Sequence, residues 1–118
     1  MPTKTPSLDW TSIEAQIVAL AEKILSGYTT QALKDFNDFK ILVTDDVQQW
    51  MVAYVQGTLS LEDLQELVMG EGDLLKLEGL KQTGLALIAL DSFTEGVMKI
   101  LVTAVIGAVS KTLPLPPL

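Results

Sequence analysis

LALIALDSFTEGVMKILVTAVIGAV, residues 85–109, decides the fold. Its only ionisable side chains are Asp91, Glu95 and Lys99, and they recur every four residues. Helical spacing stacks the three on one narrow polar stripe, continued by Thr103 and flanked by Ser92. The opposite side, Ala86, Leu90, Phe93, Val97, Ile100, Ala104 and Gly107, alternates in steps of four and three. Met98, Leu101, Val105 and Ala108 form a second seam beside it. The pattern predicts a helix wet along one strip only.

Asp73 stands where it would cap such a helix at Leu74. Run unbroken to Val109, it would be about 54 Å long at roughly 1.5 Å per residue. A compact domain of this size has an expected radius of gyration of about 13 to 14 Å. A rod that long exceeds what its own chain can cover. The sequence therefore predicts a homo-oligomer, most simply a twofold dimer, associating through Ala86, Leu90, Phe93, Val97, Ile100, Leu101, Ala104 and Val105. The competing reading breaks the segment near Ser92. Ser92 and Glu95 have capping-box spacing, and Gly84, Gly96 and Gly107 each cost about 1 kcal/mol relative to Ala in a helix interior. That reading closes a monomeric bundle.

Three further helices are predicted upstream. Trp10, Ile13, Ile17, Leu20 and Ile24 share one stripe, with Thr11 and Glu14 as a capping box or Asp9 as the cap, and Gly27 at the C-terminal cap position. Thr29 or Thr30 opens a second helix running to about Gln56 and closed by Gly57. Its stripe is Leu33, Phe36, Lys40, Val43, Val47, Trp50 and Tyr54, with the Lys40 stem packing while its ammonium reaches out. The alternative, strands at FKILVT (39–44) and WMVAYV (50–55), lacks a Gly or Pro turn between Asp45 and Gln49. Ser60 with Asp63 begins a short helix bearing Leu61, Leu64, Leu67 and Val68, ended by Gly70 and Gly72. The expected fold is all-α: a bundle of three long helices and one short one in a single domain, 8–112, completed by oligomerisation. Residues 1–7 and 113–118 are expected to be flexible Pro-containing tails.

Composition removes several function classes. Fifteen acidic residues face eight Lys, with no Arg and no His, for a net charge of -7. Without Arg to read phosphate bidentately, nucleic-acid binding is disfavoured, and a basic protein partner is favoured. The chain has no Cys, so thiolate metal sites and cysteine nucleophiles are excluded. Without His, bundle di-metal sites and the usual nucleophile and base pairs cannot be assembled. The stretch from Asp35 to Asp46 starts like a calcium loop, with Asn37 at its third position. It fails at Phe39, a ligand position, and at Lys40, where Gly is required. The glycines at 70, 72, 79 and 84 follow no strand and read as caps or close-packing points, not as a phosphate loop. No cofactor is expected.

The segment 85–109 is long enough to span a bilayer, but Asp91, Glu95 and Lys99 near its middle each cost about 2.5 to 3.5 kcal/mol there. A membrane role is left only to an oligomer turning its polar stripes to a lumen. MPTKTPSLDW has no apolar signal core, and a cytoplasmic protein is expected. Lys111, Pro114 and Pro117 in KTLPLPPL have the spacing that SH3-type grooves read, although a plain helix stop explains the prolines as well. The chain therefore reads as a non-enzymatic interaction or scaffold protein with acidic faces from Asp35 to Asp46 and from Glu62 to Glu78. The alternative is a small acidic inhibitor or chaperone of a basic protein.

Overall fold

Asp9 caps the first helix, α1 (Trp10–Leu25), its carboxylate accepting from the Ser12 N–H at 3.1 Å. The computed structural model describes residues 5–26 and 28–112. Ile13 and Ile17 of the expected stripe are buried, joined by Ala21 and Leu25, while Trp10, Leu20 and Ile24 flank the core half-buried. The left-handed residue ending α1 is Ser26, φ 49°; Gly27 lies outside the described residues.

Helix α2 (Thr29–Val55) begins behind Tyr28, which makes no side-chain cap, so neither Thr29 nor Thr30 acts as one. It runs without interruption through both segments that read as alternative strands. Its buried line is Ala32, Phe36, Phe39, Val43, Val47 and Met51, rotated slightly from the expected one. Leu33, Lys40, Trp50 and Tyr54 therefore become half-buried flanks. At its end the Gly57 N–H donates to the Tyr54 carbonyl at 3.0 Å and the Thr58 N–H to the Ala53 carbonyl at 2.9 Å. This pair of bonds requires a left-handed residue, and Gly57 has φ +84°.

Helix α3 (Leu61–Gly70) starts as its sequence predicts, with the Ser60 hydroxyl accepting from the Asp63 N–H at 3.0 Å. Leu64 and Val68 face inward, while Leu61 and Leu67 each keep a little over a third of their surface exposed. The chain then departs from expectation. Asp73 caps no long helix: a 3-10 turn (Glu71–Leu74) gives way to a single helical turn, α4 (Glu78–Lys81), and then to a loop. Leu77 at φ 52° and Gly84 at φ +84° both take left-handed backbone, through which a helix cannot continue. The last helix, α5 (Leu87–Thr112), starts thirteen residues after Leu74 and passes Ser92 without a break. Its 26 residues span about 39 Å, not 54.

Named contacts give the topology. Lys40 meets Glu14 and Gln48 meets Pro6, so α2 runs antiparallel to α1. Asp46 meets Glu71 and Asp35 meets Leu80, so the segment from α3 to α4 returns antiparallel to α2. Gly96 lies against Leu20, and one groove brings Ile13 together with Ala104, so α5 is antiparallel to α1. The result is an up-down-up-down bundle whose third leg is α3, the 3-10 turn and α4 in succession. Its extents are 52 × 23 × 22 Å and its radius of gyration is 15.6 Å, larger than a globule of this length would have because the bundle is elongated. The lead-in is part of the fold: Pro6 is buried and its carbonyl accepts from Gln48 Nε2 at 2.7 Å. Residues 1–4 and 113–118 lie outside the described residues.

Candidate functional site

One chain consumes the apolar seam that appeared to need a second copy. Leu90, Phe93, Val97, Leu101 and Val105 are at most 6% exposed, and Ile100 and Ala104 are half-buried against the same core. Ala86 is exposed just ahead of α5, its carbonyl accepting from the Ala89 and Leu90 N–H groups. The seam is therefore corrected from an association surface to an internal one. The reason is length: a 26-residue helix fits within the other legs, where a 36-residue rod would not.

The polar stripe lies where its spacing places it. Asp91, Glu95, Lys99 and Thr103 are all exposed along the outward face of α5. Sequence reading missed the apolar residues sharing that face. Ile88 is 77% exposed and its neighbour Leu87 is 70% exposed. At roughly 100° per residue, Ile88, Glu95, Lys99 and the half-buried Ile106 fall within about 20° of one line, so helical periodicity could have found them. Glu95 and Lys99 do not pair with each other. Among the described residues the one ion pair is Lys40 to Glu14, 3.2 Å apart, with the Lys40 ammonium also 5.3 Å from the centre of the Trp10 ring.

Two carboxylates from the expected acidic faces are not surface groups. Asp35, 6% exposed, takes the Leu80 N–H at 2.8 Å, the Gly79 N–H at 3.2 Å and the Gln31 side-chain amide at 2.9 Å. It caps α4 from α2. An added Cβ at Gly79 would overlap the Gln31 amide and crowd the Asp35 carboxylate, so a substitution there would displace both side chains of the cap. Glu71 is buried beside Asp46. Burial first, then the Asp46 charge and a side-chain hydrogen bond to it, push the Glu71 carboxyl above its ordinary range. The remaining acids, among them Asp38, Asp45, Glu62 and Glu66, stand in solvent.

Lys99 is exposed and lacks the apolar enclosure that a lysine base requires. Residues 35–46 are helix throughout and form no loop. Among the described residues, no three Asp or Glu side chains converge to hold a metal. A groove of about 340 Å³ between the α1 start and the α5 end is lined by Thr5, Ser7, Asp9, Ser12, Gln16 and Lys111 over a floor that includes Ile13 and Ala108. Of the SH3-type motif, Lys111 is exposed, and Pro114 and Pro117 lie outside the described residues. By length and composition Leu87–Lys111 is apolar enough to cross a membrane, and a third of its most apolar stretch is buried within the bundle.

No family model matches this chain, and neither a curated protein nor a solved structure resembles it measurably.

Proposed function

We propose that the chain is a non-enzymatic helical scaffold or interaction module that self-associates through α5, by its outward strip instead of the buried seam. The observation that carries this reading is the exposure of Ile88, 77%, on the same helix line as the unpaired Glu95 and Lys99. A large aliphatic side chain in water beside two free charges of opposite sign suits a surface that is covered in the working unit. Light scattering tests it: the expected mass is twice the 12.8 kDa of one chain. A monodisperse 12.8 kDa species at micromolar concentration would remove it.

A second reading, neutralisation of a basic protein, is supported by the net charge of -7 and the exposed acids of α2 and α3. It requires a large gain in thermal stability on adding one cognate basic protein, and no gain with unrelated cations of similar charge.

A further inference from the structure

We propose that two copies pair through the outward strip of α5 as an antiparallel twofold dimer, with its axis at the level of Val97. Each Glu95 then meets the other copy's Lys99, and each Ile88 meets the other copy's Ile106. The inference rests on the self-association reading above and adds its partner geometry.

The strip is palindromic in position and complementary in charge. Glu95 and Lys99 stand two residues either side of Val97, and Ile88 and Ile106 stand nine either side. A twofold axis perpendicular to an antiparallel helix pair exchanges positions equidistant from it, so each of these residues meets its counterpart. The four share one helix line to within about 20°, so they face a neighbour together. Parallel pairing of the same strip would instead set Glu95 on Glu95, Lys99 on Lys99 and Asp91 on Asp91. Three like-charge juxtapositions disfavour that arrangement, particularly between chains already at -7 each. Both charges are available, since neither has an ion-pair partner within its own chain among the described residues. The isoleucines, roughly 27 Å apart along α5, would bracket the charged centre with apolar contact at both ends. The inward side of α5 is occupied by its own bundle, so on this helix the strip is the face that a second copy can approach.

Charge exchange tests the register by sedimentation equilibrium. E95K and K99E are each expected to weaken dimerisation on the order of tenfold, since each turns two attractive pairs into repulsive ones. The double variant E95K/K99E restores the pairs and should return near the wild-type constant. Both positions of substitution are solvent-exposed, and circular dichroism would check that the variants fold. The chain lacks Cys, so a cross-link has no background. An equal mixture of I88C and I106C should form an interchain disulfide on mild oxidation, whereas I88C alone should not, its two copies lying roughly 27 Å apart. A dimer indifferent to both single charge reversals, a failed rescue, or ready cross-linking of I88C alone would overturn this register while leaving self-association intact. A wild-type monomer would overturn both, and a monomer that floats with phosphatidylcholine vesicles would assign the strip to a bilayer.

Discussion

Replacing Asp35 with Ala should unfasten the third leg of the bundle. The carboxylate accepts three hydrogen bonds, at 2.8, 2.9 and 3.2 Å, while only 6% exposed. Loss of a helix cap typically costs about 1 kcal/mol, and donors left unsatisfied in a buried setting add about 1 to 3 kcal/mol. The expected total is about 3 kcal/mol, a large fraction of the roughly 5 to 15 kcal/mol available to a domain of this size. Urea unfolding followed by circular dichroism would read it as a fall in midpoint with the slope little changed. Native-state hydrogen exchange supplies the local readout: the Gly79 and Leu80 amides should lose protection before those of α1 and α5. A D35A variant within about 0.5 kcal/mol of wild type, or one with the two amides equally protected, would show that α4 is held by packing of Leu77 and Leu80 and not by the cap.

E71Q should stabilise the fold at neutral pH. Because the folded carboxyl titrates above its ordinary range, its contribution is fully present below the unfolded value and is lost as pH rises through the folded one. Melting curves should therefore show the advantage of E71Q over wild type growing from acid towards neutral pH; an unchanged difference would refute the raised titration of Glu71. G57A should cost about 1 kcal/mol, since φ +84° suits Gly and an added Cβ meets nothing within 4 Å. The effect is pure backbone strain, and chemical denaturation would measure it. K40M should lower stability by less than about 1 kcal/mol, because the ion pair to Glu14 is partly exposed and Met keeps an unbranched apolar stem at this half-buried position. A larger loss in thermal unfolding would show that the cation over the ring matters more than its exposure suggests.

Local signals proved readable where local chemistry decides. The Ser60 cap, the Gly57 stop and the Ile13 to Ile17 stripe each depend on residues within a turn or two, and each forms. The inward line of α2 was less legible: Leu33 competes with Ala32 and Trp50 with Met51, and the larger member of each pair turned to the flank because the tighter space between helices admits the smaller or more flexible one. Residues 71–86 were illegible for a different reason. Their leucines at 74, 75, 77 and 80 fit helical spacing, but the breaks are imposed by Asp35, which caps Leu80 from 45 positions away, and by the left-handed Leu77. Misplacing the start of α5 then lengthened it on paper and sent its seam to a second chain. Periodicity identifies which side of a helix is apolar; it does not identify what covers it.

The close approach of α1 to α5, where Gly96 admits the Leu20 side chain, has a consequence for assembly in time. Helix α1 packs most extensively on the element farthest from it in sequence. During synthesis the α1 to α2 hairpin can zip at once, since its ends are joined by a short turn, but Ile17 and Ala21 lack their α5 partners until some eighty further residues have been added, at about 5 to 20 residues per second. Counted from the end of α2 at Val55, only about 40 to 50 of those residues remain, so for a few seconds the nascent hairpin presents an uncovered aliphatic flank. A chaperone contact, or premature docking onto a neighbouring chain, would fall within that interval.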